Sequence, residues 1–444
     1  MEGAIKQCAI QEMKTSDKIP TGKLNRAGKI LKTGLKVGKN YATHYGAKLL
    51  QVDVDKDDLD EKNAADIMDS LLELKGSGLK VAQMLSMEKS FLPKAYVDQF
   101  SLAQFSVPAL SVPLVKKTFR QYLGKNPEDL FDEFDYEASF AASIGQVHQA
   151  TLDGQRLAVK IQYPGVAESI SSDLAMLKPM ASKLLRLEMD DAEKYFQEVE
   201  HKLLEETDYE LELESSQKIA AACAIDESYI FPKYYPSLSS KRIITMDWVD
   251  GVHLPAYAAS DIDQQQRDLV GQKIWDLFMY QIHELKFVHA DPHPGNLLVT
   301  PEGKICMLDF GCMKKIPEEF FAPFMALTAP NSLDDAVALE GYLYELDMLL
   351  EEDGPDEKAF YFEQYYEVLS LFLRPYQNDN WDFSDKSFFD EITETGERIA
   401  KQTLLSKYKM NRGSEHFIYI NRTFFGLYQL MHMLGAKISV QYPR

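Results

Sequence analysis

The chain is predicted to be an α+β protein: a small mixed lobe, then a larger and mainly helical lobe, with a helical extension in front. Three observations carry this. Two short apolar hairpins, Gly145–Ile161 and Leu297–Leu308, interrupt sequence that otherwise reads as helix. One buried-strand pattern, Lys241–Trp248, stands between them and ends at Asp250-Gly251. Amphipathic stretches with the 3.6-residue period fill most of the remainder.

Residues 1–20 read as a tail ending at Pro20, and residues 21–50 as a basic stretch with spaced apolar positions. Four glycines, Gly22, Gly28, Gly34 and Gly38, weaken a helix there. Asp53–Asp60 reads as an acidic turn, Asn63–Glu73 and Leu79–Met87 as helices, and Pro113–Leu123 as a further one, with Pro93, Pro108 and Pro113 as breaks. Gly145–Leu152 and Gln155–Ile161 alternate as strands around Asp153-Gly154, a two-residue hairpin signal. A long helical region is expected from Ser169 to about Ala224, another from Ile262 to Leu285, and a second hairpin around Pro301-Glu302-Gly303. The remainder to Arg444 reads as mainly helical, with Phe424–Met433 as core. The expected domains are therefore a basic tail over 1–50, a helical extension over 51–130, a small lobe over 131–250 and a large lobe over 251–444.

Of the 444 residues, 45% are apolar and 11% aromatic, enough for a substantial core. Four cysteines, Cys8, Cys223, Cys306 and Cys312, form no Cys-x-x-Cys and no disulfide framework, as expected of a reducing cytosol. No apolar run reaches the roughly 18 residues of a spanning helix. The net charge is −21, yet residues 1–50 carry +7, which leaves −28 on the rest. So acidic a body argues against nucleic acid as a partner. The basic head suits either an anionic membrane surface, at the inner face of the membrane, or the acidic body of its own chain.

The chemistry is concentrated in His289-Ala290-Asp291-Pro292-His293-Pro294-Gly295-Asn296 and Leu308-Asp309-Phe310-Gly311. An Asp, an Asn five residues on and an Asp-Phe-Gly thirteen residues further have the spacing of a kinase-type phosphoryl-transfer site. Asp291 would orient the nucleophile. Asn296 and Asp309 would give oxygen ligands to Mg2+ on the phosphates of ATP. Lys160, in Leu-Ala-Val-Lys-Ile, occupies the position of a kinase phosphate-binding lysine, and Glu205, Glu206, Glu210, Glu212 and Glu214 are all available as its partner. The loop before the hairpin would contact the nucleotide through Ala141, Ala142, Ser143, Ile144, Gly145 and Val147, with Ala158 on the second strand. It holds one glycine where a protein kinase has several, so its backbone should approach the phosphates differently. The sequence after Gly311 enters a helix without an Ala-Pro-Glu and with no room for a long activation segment.

Ala-Ala-Ser-Ile-Gly-Gln-Val-His (141–148), Val-Lys-Ile-Gln-Tyr-Pro-Gly-Val (159–166), Glu-Thr-Asp-Tyr (206–209) and the two motifs above resemble the UbiB / AarF-domain atypical kinases, in the same order and over nearly the whole chain. These kinase-like proteins are linked to ubiquinone and other prenyl-lipid metabolism. The resemblance implies a protein-kinase-like fold whose extension covers the nucleotide pocket. It assigns the extension's Lys-x-Gly-Gln signature to Lys80 and Gln83, with Ala82 in place of the Gly, and the Glu-x-Asp signature to Glu206 and Asp208. It selects Glu212 as the partner of Lys160. It places adenine at a hinge formed by Met246, Asp247, Trp248 and Val249.

Three functions follow from these residues. The first is an ATPase, or a kinase acting on a small molecule or isoprenoid lipid, without protein substrates. The second is a phosphotransferase of the aminoglycoside or choline kinase type, whose His-x-Asp-x-His-Pro-x-Asn loop is similar but which lacks the extension motif and the Ala-rich loop. The third is a nucleotide-gated, lipid-binding scaffold.

Overall fold

Short alternating strands around tight turns and long amphipathic helices give the elements in chain order. In a computed structural model the described residues are 32–33, 36, 39–40, 56–74, 99, 109–141, 144–185, 189–223, 226–290, 292–329, 331–405 and 412–441. The first part runs α1 (Lys56–Leu74), α2 (Val112–Leu123), β1 (Glu133–Phe134), β2 (Phe140–Ala141), β3 (Gly145–Leu152), β4 (Gln155–Gln162), α3 (Val166–Leu185), α4 (Met189–Glu206), α5 (Tyr209–Cys223), β5 (Tyr229–Ile230) and β6 (Ile243–Asp247). The second runs β7 (Val252–His253), α6 (Leu254–Ala258), α7 (Gln264–Tyr280), β8 (Phe287–His289), β9 (Leu297–Val299), β10 (Ile305–Met307), β11 (Met313–Lys315), α8 (Glu318–Leu327), α9 (Ala336–Glu345), α10 (Pro355–Phe372), β12 (Asn380–Asp382), α11 (Lys386–Leu405), α12 (Glu415–Leu434) and β13 (Lys437–Ser439). The fold is α+β and kinase-like.

The chain divides into two compact units, 1–214 with 233–248, and 215–232 with 249–444. The first unit holds an antiparallel sheet in the order β1-β3-β4-β6, with β2 paired to β3. Asp153 and Gly154 take φ of +52° and +76°, the left-handed pair that a tight hairpin between β3 and β4 requires. Its core joins Ile67, Met68 and Leu71 of α1 to Phe119 of α2, Val159 and Ile161 of β4 and Leu203 of α4. In the second unit, Trp275, Phe278, Phe310, Phe424 and Tyr428 are fully buried in one aromatic-rich core. Gly271 of α7 is obligatory there, because a Cβ would stand 2.6 Å from the Ala436 methyl.

Several expectations are corrected. The acidic Lys56–Asp60 stretch is the first turns of α1, where the helix dipole favours carboxylates. The helical region expected from Ser169 to about Ala224 is present as three helices, α3, α4 and α5. Helix α7 gives way at Gln281–Leu285 to a π-helical turn, ended by Lys286 at φ +47°. Short strands β5, β8 and β11–β13 lie in sequence read as helix or loop. The expected helix Leu79–Met87 falls outside the described residues. Lys36 and Asn40 of the basic head reach Asp66 of α1 at 3.3 and 2.9 Å, and Thr33 and Asn40 are buried. At these positions the head docks on its own chain.

Candidate active site

In the first unit the antiparallel register decides which side chains share a face. Gly145 faces Gln162, Val147 faces Lys160, Ala158 faces Met246, and Lys160 faces Ile244. Directly opposed residues point the same way. Gly145, Val147, Ala158, Lys160 and Met246 therefore line one face of the sheet. Asp247 belongs to the other face, where its carboxylate accepts hydrogen bonds from Gln155 Nε2 (2.7 Å), Tyr235 Oη (2.8 Å) and Lys233 N (3.2 Å). Its N–H is spent on Lys233 O at 2.9 Å, which leaves only the backbone carbonyl for a ligand. The Trp248 N–H is spent on Arg156 O at 3.0 Å, and its ring stacks on Phe140 at 6.0 Å. Val249 belongs to the second unit. Ala141 ends β2 opposite Gln146, whereas Ala142 and Ser143 lie outside the described residues.

Ile144 is buried, and its carbonyl accepts from Tyr163 N at 2.9 Å. The next residue must be glycine for a reason internal to the sheet. A Cβ on Gly145 would lie 2.3 Å from Ile161 O and 3.1 Å from the Tyr209 hydroxyl oxygen.

Lys160 Nζ stands 3.1 Å from both carboxylate oxygens of Glu212, and the two residues are only 8% and 3% exposed. A pair this buried holds only with good geometry. The helix bearing Glu212 is fixed at its start. Asp208 Oδ1 accepts from the N–H groups of Glu210 (3.2 Å) and Leu211 (3.5 Å), so it caps α5. Tyr209 N donates to Lys241 O at 3.3 Å, and the Tyr209 ring lies 5.0 Å from Lys160 Nζ. The Thr207 carbonyl accepts from Gln162 Nε2 at 3.1 Å and from the Arg242 guanidinium. Glu-Thr-Asp-Tyr therefore works as a joint that sets α5 against β4 and turns Glu212 to Lys160. Glu206, half-buried, ends α4 just before it. The Asp208 cap and the Tyr209 platform were not read from sequence, although an Asp preceding a helical pattern was an available signal. Lys80 and Gln83 lie outside the described residues.

In the second unit β9 and β10 pair so that Leu297 opposes Met307. Asn296 and Leu308 are the next residues outward, joined by Leu308 N–H to Asn296 O at 2.9 Å. Asn296 and Asp309 thus emerge at the same end of one hairpin. Asp309 is oriented by Gly311 N–H on its Oδ1, at 2.9 Å. His289 is buried, donates its backbone N–H to Gln281 Oε1 at 3.0 Å, and donates from Nε2 to Asp309 O at 2.9 Å. It is a brace between the two motifs. Gly426 of α12 makes room for the same loop, since a Cβ there would stand 2.5 Å from Pro292 Cγ. Asp291 itself lies outside the described residues. Cys306 is fully buried, and burial pushes its thiol up to about 12, far from the thiolate a soft metal needs.

The donor set fits magnesium. Asn296 and Asp309 offer hard oxygens, and among the described residues no three His, Cys, Asp or Glu side chains gather into a metal cage. Mg2+ is usually held by one or two carboxylates, with phosphates and water completing the shell.

The profile of the ABC1 atypical kinase-like domain matches residues 102–337, more than half of the chain. The mitochondrial atypical kinase COQ8B of Danio rerio is 27% identical, with 97% of this chain and 69% of that protein covered. The mitochondrial atypical kinase COQ8 of Saccharomyces cerevisiae is 28% identical, over 86% of this chain and 75% of that one. A solved structure of the Rv3197–erythromycin complex from Mycobacterium tuberculosis shares the fold, with a TM-score of 0.59 at 23% identity, covering 90% of this chain and 96% of that one. With its buried Lys–Glu pair and its Asn and Asp-Phe-Gly on one hairpin, the chain belongs to the ABC1 atypical kinase-like family.

Proposed function

We propose that this atypical kinase binds Mg-ATP and passes the γ-phosphate to water, a small molecule or an isoprenoid lipid, in support of prenyl-lipid metabolism. One observation carries this reading: Lys160, paired with Glu212, on the sheet face shared by Gly145, Val147, Ala158 and Met246. A buried lysine held by one carboxylate keeps its charge in a fixed place, which is what the α/β-phosphates need. The nucleotide loop is Ala141–Gly145 with Val147, and the hinge is Met246–Val249. Asn296 and Asp309 hold magnesium, which neutralises charge developing on the phosphates. Asp291 orients the nucleophile. Residues 51–130 are the extension, whose Lys80 and Gln83 work with Glu206 and Asp208 to restrict access to the site.

Protein substrates do not fit this reading. Helix α8 begins at Glu318, and Ile316 N–H already bonds Lys286 O at 2.8 Å, so no long segment after Gly311 is left to bind a peptide. Among the described residues no helix is long and apolar enough to cross a membrane. Membrane contact, at the inner face of a membrane and through residues 21–50, is peripheral in this proposal.

The test is purified chain with magnesium and ATP, with and without anionic liposomes. ATP should raise the melting temperature, and Asp291→Asn should abolish phosphate release while binding persists. Failure of any nucleotide to stabilise the chain refutes the site. Stabilisation without phosphate release, and without a phosphorylated small molecule or lipid by mass spectrometry, favours the scaffold reading. Liposome binding that survives deletion of residues 1–50 refutes the membrane role of the head.

A further inference from the structure

The Ala-rich motif continues into Gln146-Val147-His148, and two of these residues face away from the proposed nucleotide. Gln146 is 1% exposed and His148 fully buried. Gln146 Oε1 accepts from Leu110 N–H at 2.8 Å. Gln146 Nε2 meets His148 Nε2 at 2.6 Å, and His148 Nδ1 meets Asp135 O at 2.8 Å. The proton positions in this chain follow from its two ends. A backbone N–H can only donate and a carbonyl can only accept. Nδ1–H therefore donates to Asp135 O, the neutral ring leaves Nε2 as acceptor, Gln146 presents its N–H to it, and Oε1 is left for Leu110.

A second proton on His148 breaks this order. Nε2–H would then face the Gln146 amino group, donor against donor. Turning the amide over would move the same conflict to Leu110 N–H. Among the described residues the other groups at the ring offer no alternative acceptor. Phe134 stacks on it at 5.2 Å, and Val159 opposes it across the sheet. Of the charged groups on the packed elements, Asp135 holds Glu137 N–H, Asp132 holds Asp153 N–H, and Lys116 is paired with Glu128. Burial also holds the imidazole below its ordinary range.

The three segments tied together are distinct parts of the fold. Leu110 is the junction immediately before Ser111, the cap residue of α2, Asp135 precedes β2, and residues 146–148 begin the strand that leaves Ile144-Gly145. We propose that Gln146 and His148 are positioning residues that fasten the junction before α2 to the base of the nucleotide loop, and that the fastening holds only while His148 is neutral. The inference rests on reading Ile144-Gly145 as part of the nucleotide loop.

Two readouts test it on the full chain from about pH 8 down to about pH 4, reaching below the ordinary histidine range because burial lowers His148: amide-exchange protection at Leu110, and the melting shift given by Mg-ATP. In the wild type both should fall together as His148 gains its proton. Gln146→Glu should reverse the dependence, because its carboxylate accepts from Leu110 N–H and from a protonated His148. Both readouts should then hold in acid and fall as His148 loses that proton. His148→Asn keeps a donor for Asp135 O, cuts the link to Gln146, and should weaken ATP by about fivefold at every pH, the worth of one net hydrogen bond. Comparison between variants cancels the titration of the nucleotide itself. Wild type and Gln146→Glu with the same pH dependence at Leu110 overturn the relay. Loss of Leu110 protection without loss of ATP stabilisation overturns its coupling to the site. If ATP binds at no pH, the nucleotide reading fails, and Leu110 protection still decides the relay. Should Gln146→Glu not fold, Gln146→Met must abolish the acid limb in Leu110 protection, and an unchanged limb overturns the relay.

Discussion

Removing the Glu212 carboxylate is the sharpest perturbation available, because the charge it leaves behind has little access to bulk water. Lys160 is 8% exposed, and both Glu212 oxygens stand 3.1 Å from its ammonium. Deleting one partner of such a pair typically costs about 3–5 kcal/mol, since the survivor stays buried and uncompensated. The Tyr209 ring at 5.0 Å returns some of this, of order 1 kcal/mol. A net loss of about 3 kcal/mol is expected for Glu212→Ala. The first unit comprises residues 1–214 and 233–248, so this corresponds to a fall of about 6–12 °C in its melting temperature. ATP stabilisation should vanish with it. The decisive variant is Lys160→Met with Glu212→Leu, which replaces the pair by apolar volume and should recover most of the stability while leaving ATP binding absent. Differential scanning calorimetry with and without Mg-ATP reads both. A single variant that loses under about 1 kcal/mol, or a double variant no more stable than the worse single one, refutes the buried-pair argument.

Gly145→Ala should destabilise by several kcal/mol irrespective of nucleotide, because its methyl would collide with the Ile161 carbonyl at 2.3 Å; urea melts without ligand check this. Asp309→Asn should weaken the ATP-induced melting shift most at low magnesium and be partly rescued by excess magnesium, whereas an effect independent of magnesium would remove Asp309 as a ligand. Arg412 bonds Asp353 at 2.5 Å and Glu357 at 2.6 Å. Burial opposes the Asp353 charge, but the Arg412 and Leu350 hydrogen bonds outweigh it and hold the carboxyl below its ordinary range. Its stabilisation is therefore complete above the unfolded carboxylate value, about pH 4, and is lost as pH falls through the lower folded value. Acid titration of Asp353→Asn should show a shallower loss of stability than wild type. Burial raises the thiols of Cys223 and Cys306, to about 11 and about 12. Both should resist iodoacetamide in the native state while Cys312, partly exposed, reacts; peptide mapping reads the order.

The parts of the fold legible in the sequence were those specified locally. Asp153-Gly154 between two alternating runs can scarcely be anything but a tight hairpin, and the structure gives it the positive φ pair that this demands. The spacing of Asn296 and Asp309 likewise follows from one short hairpin, β9–β10. What escaped depended on partners distant in sequence. Strands of two or three residues such as β5, β8 and β11 carry no periodicity, and they exist because Ile305, His289 and their neighbours offer edges to pair with. Among five candidate glutamates only the family resemblance selected Glu212, because from the residues alone the choice depends on the angle at which α5 meets β4. That angle is set by Asp208 capping, which an Asp before a helical pattern does signal, and by the Thr207 carbonyl, which has no signature of its own. Within the expected helical region, the boundary between α4 and α5 falls at Thr207-Asp208 without proline or glycine, where Asp208 caps the next helix.

The strand that follows Gly311 has a kinetic meaning. Met313–Lys315 is zipped onto Phe287–His289, with Ala290 N–H on Cys312 O at 2.8 Å as a further rung, and α8 starts three residues after Lys315. In many phosphoryl-transfer proteins this stretch is the part that melts and refreezes to turn activity off and on. Here its backbone is committed to a ladder, so opening it means breaking the strand pair that also carries His289. That places it among the slow, cooperative openings of the second unit and not among its fast local fluctuations. Amide exchange at Lys314 should accordingly track Val288.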